Sequence, residues 1–334
     1  MEKTFLSVIV PLYNAEQFIN QLIDTFLQQT YSFYEVVFID DGSTDNTHQL
    51  MKKKLADLQD DRFKMLSNEK NLGISQTKNK ALKCVQYDYI MFFDQDDLLS
   101  KDALALLMEK VDLGSDYVVG NYCREYTYKK SFYDKMFEFQ PVLKEATNKS
   151  LREIPELLIT IHQALWAKVY DKKLFDDFEF DEELHGVEDL GSTSILLAKA
   201  KKISVVEKVI YYYQYSKTST INEADSSYVV EDTYNAYNNF YNYYEHEGLV
   251  NTFLPELEYL YIYHCVLSVL VRTYQRTKNY QQPVERVFSE LMRRYPNYRQ
   301  NKYYKSHLKI SKYFIVFNKS KVFRKVFSLI LNRK

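Results

Sequence analysis

The chain has three cysteines in 334 residues, Cys84, Cys123 and Cys265. An odd number with no CxxC spacing argues against a disulfide framework and against a zinc site, and reduced cytosol is the expected compartment. No run reaches the roughly 18 apolar residues that a transmembrane helix needs, so none is expected. The N-terminus, Met1-Glu2-Lys3-Thr4-Phe5, lacks a basic stretch leading into a long apolar one. The run Ser7 to Leu12 is too short for the core of a signal peptide. No internal repeat is visible. Acidic residues are missing from the C-terminal stretch: Leu291 to Lys334 holds 13 Lys or Arg and no Asp or Glu. The overall charge of −1 therefore hides a body of 31 basic and 45 acidic residues, a net of −14. A body so acidic repels a polyanion, so no nucleic-acid partner is expected. The basic tail is suited to an anionic surface instead.

The length suits one large domain or two ordinary ones with a sizeable core. The 31 tyrosines, denser toward the C-terminus, read mostly as half-buried packing residues. Along the chain, Ser7-Val8-Ile9-Val10-Pro11 reads as a strand stopped by proline, and Glu16 to Gln29 as a helix. Glu35 to Ile39 is the second strand, with Ser43 or Thr44 as cap of the next helix. A short strand at Arg62 to Leu66, a helix after Asn71-Leu72-Gly73, a strand at Tyr89 to Phe93, a helix from about Lys101 to Val111 and a strand at Asp116 to Gly120 follow. Strands alternating with helices argue for βαβ units and a parallel sheet, hence an α/β fold. Residues 121–165 read as irregular, Trp166 to Tyr170 and Val205 to Tyr213 as strands, and the stretch opened by His185-Gly186-Val187-Glu188-Asp189 as a helix. Beyond Asp225 the pattern is helical near 229–246, 254–276 and 283–295.

The chemistry gathers at strand ends. Tyr89-Ile90-Met91-Phe92-Phe93 runs directly into Asp94-Gln95-Asp96-Asp97. In an open parallel sheet, ligands bind at the carboxyl ends of the strands. Asp94 and Asp96 flank one residue, so on an extended backbone their side chains point the same way. Two hard oxygen donors suit Mg²⁺ or Mn²⁺, and such an ion suits a diphosphate. A solvated acidic loop would use the same residues. At the end of the second strand, Asp40-Asp41-Gly42-Ser43 offers a carboxylate to an imide N–H or a ribose hydroxyl, although a turn with a helix cap has the same composition. Tyr13, after Pro11, could stack on a base. Asn71-Leu72-Gly73 could hold a nucleotide or be an ordinary turn. Glu188-Asp189 could cap a helix or supply a general base.

Taken together, Val8-Ile9-Val10-Pro11-Leu12-Tyr13-Asn14, Asp40-Asp41-Gly42-Ser43-Thr44-Asp45, Asn71-Leu72-Gly73 and Asp94-Gln95-Asp96-Asp97 resemble, in order and spacing, the family 2 glycosyltransferases over roughly residues 5 to 220. The resemblance implies a GT-A fold and a metal-dependent, inverting transfer of one sugar from a UDP-sugar to a glycan hydroxyl. It implies that Pro11, Tyr13 and Asn14 line the nucleotide pocket and that Asp41 meets the uracil with Asp40 nearby. Asn71, Gly73 and Lys78 would surround the nucleotide and its diphosphate, together with Asp94 and Gln95. Asp96 would be the first metal ligand and Asp94 the second or a ribose contact. Asp97 and Trp166 would face the acceptor, and Asp189, beside Glu188, would be the catalytic base. Mn²⁺ or Mg²⁺ is the implied cofactor.

There are departures from the family pattern. Lys78-Asn79 stands where many members have Arg-Asn, which loses the bidentate fork. Gln214 and Ser216 stand where an Arg and a His are expected, so a catalytically degenerate binding or scaffold protein is the rival reading. The QxxRW motif of processive synthases is absent. Residues 1–222 are thus expected to form the catalytic domain and 223–334 a helical accessory region. That region is expected to pack on the catalytic domain or pair with a second copy. Its tail interleaves Lys305, Lys309, Lys312 and Lys319 with Leu308, Ile310, Phe314 and Phe317. A basic amphipathic segment of this kind can lie on the inner face of a membrane, giving a cytoplasmic protein held there peripherally.

Overall fold

The β-branched runs of the first hundred residues become the strands their pattern predicts. The computed structural model describes residues 3–126, 142–184, 186–215, 226–268 and 281–307. Strands β1 (Leu6–Leu12), β2 (Tyr34–Asp40), β3 (Phe63–Ser67) and β4 (Tyr89–Phe92) lie parallel in the order β3-β2-β1-β4. The connecting helices are α1 (Ile19–Leu27), α2 (Thr47–Leu58) and α3 (Ile74–Cys84). The chain steps outward from β1 to β3 and then returns to the other side of β1. The strand order therefore reverses between β1 and β4, and in open sheets the ligand crevice lies at such a point, at the carboxyl ends of the strands.

The rest of the sheet departs from the expected parallel pattern. Strand β8 (Lys168–Asp171) inserts antiparallel between β4 and β6 (Tyr117–Tyr126), and β9 (Ile203–Tyr215) runs parallel to β6. Two short antiparallel strands pair with β9: β5 (Leu98–Leu99) and β7 (Ala146–Lys149). Among the described residues the sheet is mixed and has nine strands. The stretch 121–165, read as irregular, holds the second half of β6, β7 and a one-turn helix, Leu157–Thr160. Pro11 does not stop β1 but lies inside it. It is tolerated because β4 pairs only with Leu6 to Ile9, so the missing N–H falls beyond the ladder.

The described residues fall into two compact units. The first takes residues 3–126, 142–183 and 192–215, and the second 184, 186–191, 226–268 and 281–307. In the first, Val8, Val10, Phe38, Met91 and Phe93 from the sheet pack with Leu22 and Phe26 of α1 and Leu104 and Leu107 of α4 (Ala103–Asp112). The second unit is helical. Its helices are Ser226–His246, Leu254–Leu260 continuing as a π-helix over Tyr261–Ser268, Gln281–Arg294 and Lys302–His307. Tyrosine serves as its core residue. Tyr237, Tyr259 and Tyr261 are interior, the Tyr237 and Tyr295 hydroxyls lie 2.7 Å apart, and the Tyr261 hydroxyl donates to Val287 O. A buried phenol needs such a partner. Among the described residues no helix is long and apolar enough to cross a membrane.

Candidate active site

Four strand ends meet around the β1–β4 crevice, and side-chain hydrogen bonds tie them into one belt. After β4, Gln95 grips the loop that follows β1: its Oε1 accepts from Tyr13 N at 2.9 Å and its Nε2 donates to Tyr13 O at 3.2 Å. Next in that loop, Asn14 takes the left-handed conformation (φ 50°), which an Asn side chain tolerates. Asn14 N donates to Ser43 Oγ, and Asn14 Oδ1 accepts from Thr44 N and Thr44 Oγ1. Ser43 and Thr44 are thus spent on Asn14 and do not cap α2, whose N-cap is Asn46. At the end of β2, Asp40 Oδ1 accepts from Ser43 N and Oδ2 meets His48 Nδ1 at 3.2 Å. Asp41 closes the belt: Oδ1 accepts from Asn68 Nδ2 and Leu72 N, and Oδ2 from Gly73 N. Asn71 Oδ1 also accepts from Gly73 N, shaping the turn that starts α3. Tyr13 is left 43% exposed above the belt, its ring available for stacking.

The acidic loop is not the extended strand that the one-residue spacing suggests. Residues 94–97 form a turn in which Asp97 N donates to Asp94 O at 3.3 Å. Strand alternation therefore does not align Asp94 with Asp96; the turn leaves both within electrostatic reach of Asp97. Asp96 lies in the turn, and burial pushes its carboxyl up. Asp97 is wholly buried. Its Oδ2 accepts from the Tyr211 hydroxyl at 2.5 Å and its Oδ1 from Gln214 N at 2.8 Å. Burial, then the charges of Asp94 and Asp96, push the Asp97 carboxyl up to about 9 against those two hydrogen bonds. Expected to face an acceptor, Asp97 instead braces the loop from beneath.

Among the described residues no three His, Cys, Asp or Glu side chains converge as a metal site. Two carboxylates, Asp94 and Asp96, are what the loop offers. That set fits Mg²⁺ or Mn²⁺ in its usual phosphate-bound form, where one or two carboxylates share the ion with substrate oxygens. It does not fit a resident ion held by protein alone.

The other expected residues are placed as follows. Lys78 is buried on α3, its Nζ 5.5 Å from the Phe180 ring centre and 6.0 Å from that of Phe92. Its neighbour Asn79 exchanges two hydrogen bonds with the Phe180 backbone and so anchors the segment after β8. Trp166 is 3% exposed and lies flat on Tyr211, centroids 4.6 Å apart and planes 8° off parallel. Glu188 and Asp189 form the first turn of the helix Glu188–Lys199, Glu188 buried and Asp189 half-buried, and belong to the second unit. His185 and Ser216, like the tail beyond His307, lie outside the described residues. Gln214, where an Arg is expected, donates its side-chain amide to Glu125. Sequence reasoning missed Tyr211 and Asn79. Tyr211 sits in an aromatic run, Tyr211-Tyr212-Tyr213, in which only the strand register shows which ring turns inward.

A family model described as Glycosyl transferase family 2 matches residues 7–177. Glycosyltransferase GlyA of Streptococcus pneumoniae serotype 4 is 28% identical over 227 residues, 64% of this chain and 31% of that protein. The Escherichia coli UDP-Glc:alpha-D-GlcNAc-diphosphoundecaprenol beta-1,3-glucosyltransferase WfgD is 35% identical over 125 residues, 36% of this chain and 47% of that one. The chain thus spans less than half the length of either relative. In shape it is similar to Staphylococcus aureus TarS 1-349, solved in complex with UDP-GlcNAc. The TM-score is 0.60 at 23% identity, covering 90% of this chain and 93% of that one.

Proposed function

The chain belongs to glycosyl transferase family 2, and on that premise we propose that it moves one sugar, with inversion, from a UDP-sugar to a hydroxyl of a glycan acceptor. The observation that carries the reading is the belt of hydrogen bonds across the β1–β4 crevice. It joins an exposed ring at Tyr13, a carboxylate set at Asp40 and Asp41 and a carboxylate pair at Asp94 and Asp96. A nucleoside diphosphate is a ligand with a base, a ribose and a diphosphate in that order. The name of the E. coli relative supports UDP-Glc as the kind of donor and a lipid-linked diphosphate glycan as the kind of acceptor.

In this reading Pro11, Tyr13 and Asn14 hold the base, and Asp41, already fixed by Leu72 and Gly73, meets the uracil. Asp94 and Gln95 meet the ribose and diphosphate. Asp96, with Asp94, would hold Mg²⁺ or Mn²⁺, which when bound supplies positive charge to the departing diphosphate. The raised carboxyl of Asp96 gives that ion a local reason to bind: a charge disfavoured by burial is relieved by a cation. Asp189 is proposed as the base, on motif order. It would take the proton of the acceptor hydroxyl as that oxygen bonds to the anomeric carbon and UDP leaves from the opposite face.

The test is a transfer screen with several UDP-sugars and Mn²⁺, together with calorimetric titration of UDP. Wild type is expected to release UDP with at least one donor, and Asp189→Asn to lose turnover at least 100-fold while binding UDP as before. Asp96→Ala is expected to abolish the gain in UDP affinity that Mn²⁺ confers. No turnover on any donor, with UDP bound normally, would favour a binding subunit and reject the enzyme reading.

A further inference from the structure

Lys168 is 1% exposed, at the start of β8 between buried Ala167 and Val169. A buried ammonium is strongly disfavoured unless its protons meet acceptors. Here the acceptors come from one stretch of chain: Nζ donates to His162 O at 2.9 Å, Ala164 O at 2.5 Å and Trp166 O at 3.3 Å. Three alternate carbonyls of a single loop turn inward onto one cation. Sheet packing gives no reason for this, since a methionine would fill the same space without a charge to satisfy.

What the loop carries supplies the reason. Trp166 stacks on Tyr211 and on His162, the latter at 4.6 Å and 20°; Tyr213 lies 5.4 Å from it at 25°, and Tyr122 meets both His162 and Trp166 edge-on. Between Trp166 and Lys168, Ala167 is held at φ +57°, a conformation that a residue with a Cβ adopts only when its surroundings impose it. Tyr211 in turn donates its hydroxyl to Asp97 beneath the acidic turn. A continuous path of hydrogen bonds and ring stacking thus runs from the Lys168 ammonium through the loop and the Trp166 ring to Tyr211 and the Asp97 carboxyl after β4. Trp166 and Tyr211 form its buried part, whereas Tyr122, His162 and Tyr213 are half-buried.

We propose that Lys168 is a positioning residue for glycosyl transfer: as an internal cation it shapes the loop 162–166 so that Trp166 locks against Tyr211, fixing an aromatic wall beside the acidic turn against which the acceptor sugar ring packs. This rests on the transferase reading above. It differs from the ordinary account of a buried lysine, because the group that must move when Lys168 is lost is the Trp166 ring.

The chain has one tryptophan, so its emission reports on that ring alone. Full-length Lys168→Met and Lys168→Arg would be compared with wild type by far-UV circular dichroism, tryptophan emission with acrylamide quenching, UDP calorimetry, and turnover of UDP-glucose with an alkyl-tailed GlcNAc diphosphate as acceptor probe. In Lys168→Met a native far-UV spectrum, red-shifted emission, quenching raised at least about twofold, unchanged UDP affinity and an acceptor KM raised about tenfold are expected. Lys168→Arg, which keeps the charge and donors, is expected to return emission toward wild type. Unchanged emission and quenching in Lys168→Met would overturn the proposal. So would UDP affinity falling together with acceptor use, or loss of the folded state in both variants, since either makes Lys168 a residue of general stability. If wild type turns over no donor, the transferase reading falls, and the emission and UDP measurements still decide whether Lys168 sets Trp166.

Discussion

Gly42 stands at φ +65°, and a Cβ there would lie 2.4 Å from Lys70 C and 2.5 Å from Asn71 N. Both atoms are backbone and cannot swing aside, so Gly42→Ala must push the Asn71–Gly73 turn away from Asp41. The expected result is a loss of about 1–3 kcal/mol in urea unfolding and weaker UDP binding by calorimetry. Wild-type values for both would show that the two turns do not meet this closely. Asp97 makes a prediction of another kind. Its folded pKa is raised to about 9, by burial first and Asp94 and Asp96 next, against about 3.9 in the unfolded chain. Its stabilising effect is complete below the unfolded value and is lost as pH rises through the window from about 4 to about 9. In EDTA, the Tm of wild type should therefore fall across that window more steeply than that of Asp97→Asn, which stays neutral throughout. Parallel slopes would mean that Asp97 is ionised at neutral pH.

At the scale of elements, the amino ends of the strands are joined by one buried carboxylate. Glu35 on β2 accepts from Ser7 Oγ on β1, Lys64 Nζ on β3 and Gln86 N ahead of β4, while Ser7 Oγ accepts from Tyr87 N. Burial pushes the Glu35 carboxyl up, but the hydrogen bonds from Lys64, Ser7 and Gln86 outweigh it and hold it below the usual range. The stability it contributes is present above its unfolded pKa and lost as pH falls through the folded one. Glu35→Gln is expected to lower stability by about 1–3 kcal/mol at pH 7, less at pH 3, and to leave UDP affinity unchanged because the network lies at the end of the sheet away from the crevice. A large loss of UDP binding would contradict that separation. The parallel half of the sheet was legible because Val8-Ile9-Val10 and Val36-Val37-Phe38 are buried on both faces. The antiparallel insertion of β8 was not, because Lys168-Val169-Tyr170-Asp171 contains nothing that distinguishes one strand direction from the other.

For the whole molecule, charge is the organising feature. A body of net −14 and a segment from Leu291 onward with 13 basic and no acidic residues cannot behave alike near an anionic surface. Each Lys or Arg near such a surface contributes about 1 kcal/mol, screened by salt. Full-length protein is expected to float with vesicles containing phosphatidylserine at 50 mM salt, and to be released at 500 mM. A chain ending at Tyr298 is expected to stay in solution at both. Equal flotation of the two would remove the tail from the account. Net charge also predicts weak binding of nucleic acid by the full chain, measurable by gel shift.

The sequence by itself determined which strand ends carry carboxylates. Burial of an apolar strand leaves no place for Asp40, Asp41, Asp94 or Asp96 except at its end, and a parallel sheet collects such ends on one side. It also determined the charge division, which needs only counting. The tertiary structure decided how those ends are joined. Gln95 grips Tyr13, Asn14 grips Ser43 and Thr44, and Asp41 grips Gly73, at separations of about 30 to 80 residues along the chain that no local pattern encodes. It likewise separated the acids of one short motif into half-buried members, Asp94 and Asp96, and a wholly buried one, Asp97. The direction in which a turn leaves a strand depends on what packs beneath it, and beneath Asp97 that is Tyr211, 114 residues later in the chain.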